Sequence, residues 1–209
     1  MSEKIISVTP IKDYFSISWT LGSFCNYECM YCPEELHDST SKPHDLETLK
    51  QSWTNIYNTS KHTNLKYKIS FTGGEVTANK SFLPFLEWLR DNFDCVEQIL
   101  VTSNGSASLN YYQKLCKSVE SLTLSTHSEF INEEEFFVKV KELAKIMIPP
   151  KKYIHVNIMD EYWNTERIKL YEQFLKKHKI NYSINEIDYS FKTRDFTLNK
   201  GVINIEQIL

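Results

Sequence analysis

Short runs rich in β-branched and aromatic residues alternate along the chain with longer stretches whose apolar positions recur at helical spacing. The runs predict strands at 14–20, 67–72, 98–103, 121–126, 153–159 and 181–187. Helices are predicted between them, near 46–58, 81–92, 109–117, 133–146 and 165–177. Asn132 is placed to cap the fourth helix, with Glu135 three residues on completing a capping-box pattern. Pro149-Pro150 stops that helix before the next strand, and Ser103-Asn104-Gly105 is a turn signal that closes the third strand. Parallel neighbours need long connections, so strands separated by crossover helices predict a parallel sheet. Six units are two short of a closed eight-unit barrel. The expected fold is therefore α/β, an open partial (β/α)6 TIM-like barrel with parallel strands over residues 1–190. Residues 191–209 form a polar tail whose apolar end, 202–209, is a candidate cap for the barrel.

Composition narrows the setting. A chain of 209 residues and 24.7 kDa is enough for one domain with a real core. Aromatics at 13%, with only 5 Gly and 6 Pro, argue against disorder and linker architecture. A net charge of −3 provides no footprint for nucleic acid or an anionic membrane, so neither is expected as a partner. No apolar run approaches the roughly 20 residues of a membrane span. Met1-Ser2-Glu3-Lys4-Ile5-Ile6 lacks the apolar stretch of a signal peptide, so a cytoplasmic location is expected. Thiols stay reduced there, and five cysteines are then no disulfide framework.

In parallel α/β folds, ligand sites gather at the carboxyl ends of the strands. The residues with chemistry to offer sit there. Three of the five cysteines follow strand one, as Cys25-Asn26-Tyr27-Glu28-Cys29-Met30-Tyr31-Cys32. Gly73-Gly74-Glu75 follows strand two, Ser103 and Asn104 strand three. Ser125 and His127 lie at the end of strand four, Met159 at the end of strand five and Glu186 at the end of strand six. Three thiolates in one loop can hold three irons of a [4Fe–4S] cubane and leave the fourth iron open. Two other readings stand beside it: a Cys3His zinc site completed by His37, and a loop of free thiols. A Gly-Gly pair after a strand is by itself most often a tight turn.

Taken together, Cys25, Cys29 and Cys32 with the aromatic Tyr31, followed by Phe71-Thr72-Gly73-Gly74-Glu75, resemble the radical S-adenosylmethionine (SAM) superfamily, in particular its small stand-alone core-domain members. The resemblance spans roughly residues 14 to 188. It implies a [4Fe–4S] cluster on Cys25, Cys29 and Cys32 whose open iron binds SAM. It also implies SAM contacts from Tyr31 near the adenine, Gly73 and Gly74 near the methionine moiety, and Glu75 at the amino group. Ser103, Asn104 and Ser125 are implied near the carboxylate and ribose, and Met159 among the cofactor contacts. The implied reaction is reductive cleavage of SAM to a 5′-deoxyadenosyl radical that abstracts hydrogen from a sugar, nucleotide or peptide. The implied electron donor is a reduced flavodoxin or ferredoxin. With no cysteine after Cys116 and only about a dozen residues before strand one, the resemblance implies a bare catalytic core.

The chain's own catalytic residues are not identified by any motif. His127 at the end of strand four is a substrate-side candidate, though a lone histidine is more often a packing residue. Asn157 and Glu186 are the others, both expected on the interior face by strand alternation. The reading from another class is a zinc-stabilised or degenerate SAM-binding module that serves as a non-catalytic scaffold for a partner.

Overall fold

The computed structural model describes residues 13–162 and 165–192. Six parallel strands form one sheet in chain order: β1 (Tyr14–Thr20), β2 (Lys66–Thr72), β3 (Val96–Ser103), β4 (Ser121–Thr126), β5 (Tyr153–Asp160) and β6 (Asn181–Glu186). A crossover helix follows each of the first five strands: α1 (Leu46–Ser60), α2 (Phe82–Asn92), α3 (Leu109–Ser118), α4 (Glu133–Ala144) and α5 (Thr165–Lys177). Among the described residues β1 pairs only with β2 and β6 only with β5, which leaves both edges of the described sheet open. This is the expected six-unit partial barrel. From residue 193 onward the expected tail lies outside the described residues.

Local chemistry sets the helix starts. Asp45, Ser108 and Asn132 accept hydrogen bonds from the backbone N–H of Thr48, Tyr111 and Glu135, satisfying donors that a first helical turn leaves open. Glu133, Glu134 and Glu135 fill the first turn of α4, where negative charge suits the helix dipole.

Alternation along the strands divides the sheet into two unlike faces. Tyr67, Ile69 and Phe71 on β2, Ile99 and Val101 on β3, and Val156 and Ile158 on β5 are buried beneath the helices. The aromatic content is largely spent there. Phe71 packs against Trp19, Phe82 and Phe85 with ring centroids 5.5, 5.3 and 6.1 Å away. The opposite, concave face is polar: Ser70 and Thr72 on β2, Thr123 and Ser125 on β4, His155 and Asn157 on β5, and Ser183 and Asn185 on β6. Phe71 lies one residue from the Thr72-Gly73 junction, so its packing fixes where the site begins. Phe71→Ala is expected to cost about 3–5 kcal/mol through lost burial and a residual cavity. Urea denaturation checks this, and a cost under about 1 kcal/mol contradicts the core assignment.

Candidate functional site

The loop after β1 is held by backbone pairing that continues beyond the strands. Leu21 N donates to Thr72 O (2.9 Å), Gly74 N to Gly22 O (2.9 Å) and Glu75 N to Phe24 O (2.8 Å). The approach leaves no space for a side chain. A Cβ on Gly74 would lie 2.2 Å from Phe24 O, and one on Gly73, whose φ is +142°, would lie 2.7 Å from Gly22 O. The glycine pair is thus required by the cysteine loop itself, a stricter demand than closeness to a ligand. The loop closes on its other side through Cys25 N to Asp38 O (2.9 Å) and Asp38 N to Ser23 O (2.8 Å).

Glu75 ties this loop to the next. It is buried, and burial raises its pKa. Its Oε1 accepts from Thr77 N (2.9 Å), Thr77 Oγ1 (2.5 Å) and Ser103 Oγ (2.7 Å), and its Oε2 from Asn104 N (2.6 Å). Asn104 Nδ2 in turn donates to Asn26 Oδ1 in the cysteine loop (3.0 Å). The ends of β1, β2 and β3 are therefore joined in a closed circuit of hydrogen bonds.

Above them lies a cavity of about 310 Å³, at the small end of the ~300–1,000 Å³ typical of ligand sites. Cys25, Cys29, Cys32, Tyr31, Gly73, Gly74 and Glu75 border it, together with Ser103, Asn104, Ser125, His127 and Met159. Two residues expected in the site stand elsewhere. Asn157 is one step below the cavity, its Nδ2 3.4 Å from Ser125 Oγ and its Oδ1 accepting from Ser183 Oγ at 3.2 Å. Glu186 corrects the expectation of an interior carboxylate. It is exposed, sits opposite Asp160 and has the same parity as Tyr182, whose hydroxyl donates to Glu172 on α5. The interior position at the end of β6 belongs to Asn185, in register with Met159.

The three thiols form a set suited to a cluster. Burial raises the pKa of each, and Cys25 and Cys32 push that of Cys29 further up through their charge. Deprotonating all three needs a cationic partner, which an iron core provides as protons leave. His37 borders the same cavity, with its Nδ1 bonded to Pro33 O (3.1 Å). A donor set of three thiols in one loop suits a cubane, which takes each thiolate on a separate iron.

Several residues packed on or bonded to the cysteine segment carry no sequence motif. Tyr27 stacks on Phe130 with centroids 4.9 Å apart. Glu129 Oε2 accepts from Met30 N (3.0 Å), inside the cysteine segment. Glu161, one residue past β5, accepts from Tyr31 Oη (3.0 Å) and Ser128 N (3.1 Å), and burial raises its pKa to about 7. His127 Nδ1 lies 2.7 Å from Tyr31 Oη and 3.5 Å from Cys29 Sγ. Desolvation lowers the His127 pKa to about 4, which keeps the ring neutral at neutral pH. The position of Glu161 at a strand end was the only available signal for it.

No protein-family model matches the chain. The chain is similar to GTP 3',8-cyclase of Pasteurella multocida, 29% identical over 100 residues that cover 45% of this chain and 27% of that one. The GTP 3',8-cyclase of Haemophilus influenzae is 33% identical over 95 residues, again 45% and 27%. A probable GTP 3',8-cyclase of Methanocaldococcus jannaschii is 26% identical over 155 residues, covering 71% of this chain and 50% of that protein. The matched segments thus span a quarter to a half of these relatives. Among solved structures, anSMEcpe with bound AdoMet aligns at a TM-score of 0.60 with 17% identity, over 92% of this chain and 55% of that one. BtrN in complex with AdoMet and 2-DOIA aligns at 0.52 with 16% identity, over 68% and 56%. Both share the fold.

The hydrogen-bond circuit makes a specific demand. In Glu75→Gln an amide N–H replaces an oxygen that faces only donors, at an expected cost of about 1–3 kcal/mol. Gly74→Ala should cost a similar amount, about 1–3 kcal/mol, by overpacking against Phe24 O. Both are read from urea midpoints, and a Glu75→Gln variant as stable as the parent contradicts the circuit.

Proposed function

We propose that this chain, which belongs to the radical SAM superfamily, is an enzyme that cleaves SAM reductively and directs the resulting radical at a C–H bond of a small-molecule substrate. The observation that carries this reading is the gathering of Cys25, Cys29 and Cys32, the Gly73-Gly74-Glu75 strip and the ends of β3, β4 and β5 around one cavity. Residues 1–190 form the catalytic unit of this reading, and the reducing compartment it requires is the cytoplasm.

Cys25, Cys29 and Cys32 would hold a [4Fe–4S] cluster, and SAM would lie beside it against the Gly73-Gly74 backbone. When bound, these groups supply an electron to the sulfonium and a 5′-deoxyadenosyl radical. The chain's own work is orientation and exclusion of water. Ser103, Asn104 and Ser125 offer hydroxyl and amide groups to the SAM carboxylate and ribose. Tyr31 and Met159 offer an aromatic ring and a thioether to its adenosyl part. The Glu75 carboxylate, whose Oε1 is taken by three donors of the chain, keeps one accepting position on Oε2, bonded only to Asn104 N, for the SAM amino group. His127 borders the cavity on the substrate side, with the Asn157–Ser183 pair one step below it, and a reduced flavodoxin or ferredoxin serves as the electron source.

Anaerobic reconstitution with iron and sulfide should give a brown, air-sensitive [4Fe–4S] protein whose spectrum changes on adding SAM. With dithionite it should release 5′-deoxyadenosine, and Cys29→Ala should abolish both cluster and cleavage. Stoichiometric zinc with no cluster, or undiminished cleavage by Cys29→Ala, would sink the assignment.

A further inference from the structure

One lysine of α4 grips the turn that follows β3. Lys139 is 4% exposed, and its Nζ donates to Gly105 O (2.7 Å) and Ala107 O (2.6 Å). The ammonium also lies 5.7 Å from the centre of the Tyr112 ring. The carboxylate paired with it, Glu135 at 3.8 Å, is largely in solvent and offsets little of the cost of burial. An apolar side chain of the same length would cover this helix contact at lower cost. The charge is explained by what it holds, two carbonyls that flank Ser106. Packing pins Gly105 in the same place. Its φ is +76°, and a Cβ there would lie 2.5 Å from the ring of Phe136, one helical turn before Lys139. Tyr112 fixes the start of the turn. Ser103 Oγ donates its single hydrogen to Glu75 Oε1, so Tyr112 Oη, 2.7 Å away, is the donor to Ser103. The turn thus held carries Asn104, whose Oδ1 accepts from Ser106 N (3.0 Å) and whose Nδ2 donates to Asn26 (3.0 Å). Ser103 and Asn104 border the cavity, whereas Lys139 and Tyr112 stand behind them.

We infer that Lys139 and Tyr112 are positioning residues for SAM: together they set where the 103–107 turn stands, and so where Ser103 and Asn104 meet the cofactor. The role at SAM rests on the function proposed above, whereas the clamp on the turn is a property of the chain alone. A group held in place beforehand adds affinity because no ordering has to accompany the ligand's arrival. With the turn released, Ser103 and Asn104 are ordered only when SAM binds, and affinity falls. Lys152 provides a matched control. It donates to Cys116 O, to Lys117 O (3.2 Å) and to Val119 O (2.8 Å), at the C-terminal end of α3 and among residues that do not border the cavity.

SAM is titrated into the anaerobically reconstituted full chain, at equal iron content and well below each variant's unfolding midpoint, with affinity read from the cluster spectrum. Lys139→Met, which keeps the length and loses the donors, should bind SAM about tenfold more weakly, and Tyr112→Phe about threefold. Lys152→Met should lose stability but bind SAM as the parent does. Parent-like affinity in Lys139→Met or in Tyr112→Phe overturns the proposal, since that is what a merely structural role predicts. Equal weakening in Lys152→Met overturns it as well. If Lys139→Met does not fold, Tyr112→Phe, which removes a single hydroxyl, decides alone. Hydrogen exchange on the cluster-free chain separates the clamp from the proposed reaction. The amides of Asn104, Gly105 and Ser106 should exchange about tenfold faster in Lys139→Met, and unchanged exchange refutes the clamp. A parent that binds no SAM overturns the role at SAM together with the proposed function, even where faster exchange upholds the clamp.

Discussion

The structure around the site depends on one constraint: β1 and β2 go on pairing after both strands have ended. Gly74 and Glu75 donate to Gly22 and Phe24 across a gap too narrow for any Cβ. This extension fixes the start of the cysteine loop, so a segment with little regular structure begins from a rigid edge. The Glu75 side chain, placed by the same backbone, then turns back to hold Ser103 and Asn104. Asn104 returns to Asn26 and closes the circuit. Removing a hydrogen-bond partner anywhere in it leaves a buried donor or acceptor unpaired, which is the costly case. The circuit should therefore loosen as a unit, not one bond at a time.

What could be read from the sequence follows from which constraints are local. The strand and helix positions were legible because each depends on periodicity within a dozen residues, and Asn132 was legible as a cap for the same reason. The cysteine spacing and the Gly-Gly-Glu run were legible as motifs, but the reason for the glycines was not. The atoms that exclude a Cβ belong to Gly22 for Gly73 and to Ser23 and Phe24 for Gly74, about fifty residues earlier. Glu186 shows a different limit. The strand was correctly located, but which of its two faces a residue occupies depends on register with β5, and a slip of one residue exchanges the faces. Glu161 and Tyr31 are 130 residues apart, and their pairing exists only once the barrel has brought β5 beside the cysteine loop.

That pairing belongs to a wider electrostatic pattern. Glu75, which borders the cavity, and Glu129 and Glu161, which bond to the cysteine segment at Met30 and Tyr31, are all buried. Burying carboxylates is expensive unless each is well hydrogen-bonded. Here the donors include backbone N–H groups of Asn104, Met30 and Ser128, which lie in the loops that shape the site. The acids thus act as templates for those loops: each loop is held where its N–H groups satisfy a carboxylate.

The two faces of the sheet separate stability from chemistry. A parallel sheet covered on both sides reads as continuous apolar runs, whereas these strands alternate. The convex face carries the buried aromatics and most of the folding energy. The concave face carries Ser125, Asn157, Ser183 and Asn185, which bond mostly to one another and to little else. Substitutions there should alter what the cavity recognises at little cost to the fold. Under the radical chemistry proposed above a polar floor is unusual, since such a species must be kept from water and reactive side chains. The cavity is small, about 310 Å³, so a ligand bound there would itself displace water, and the wall's hydroxyl and amide groups would orient it.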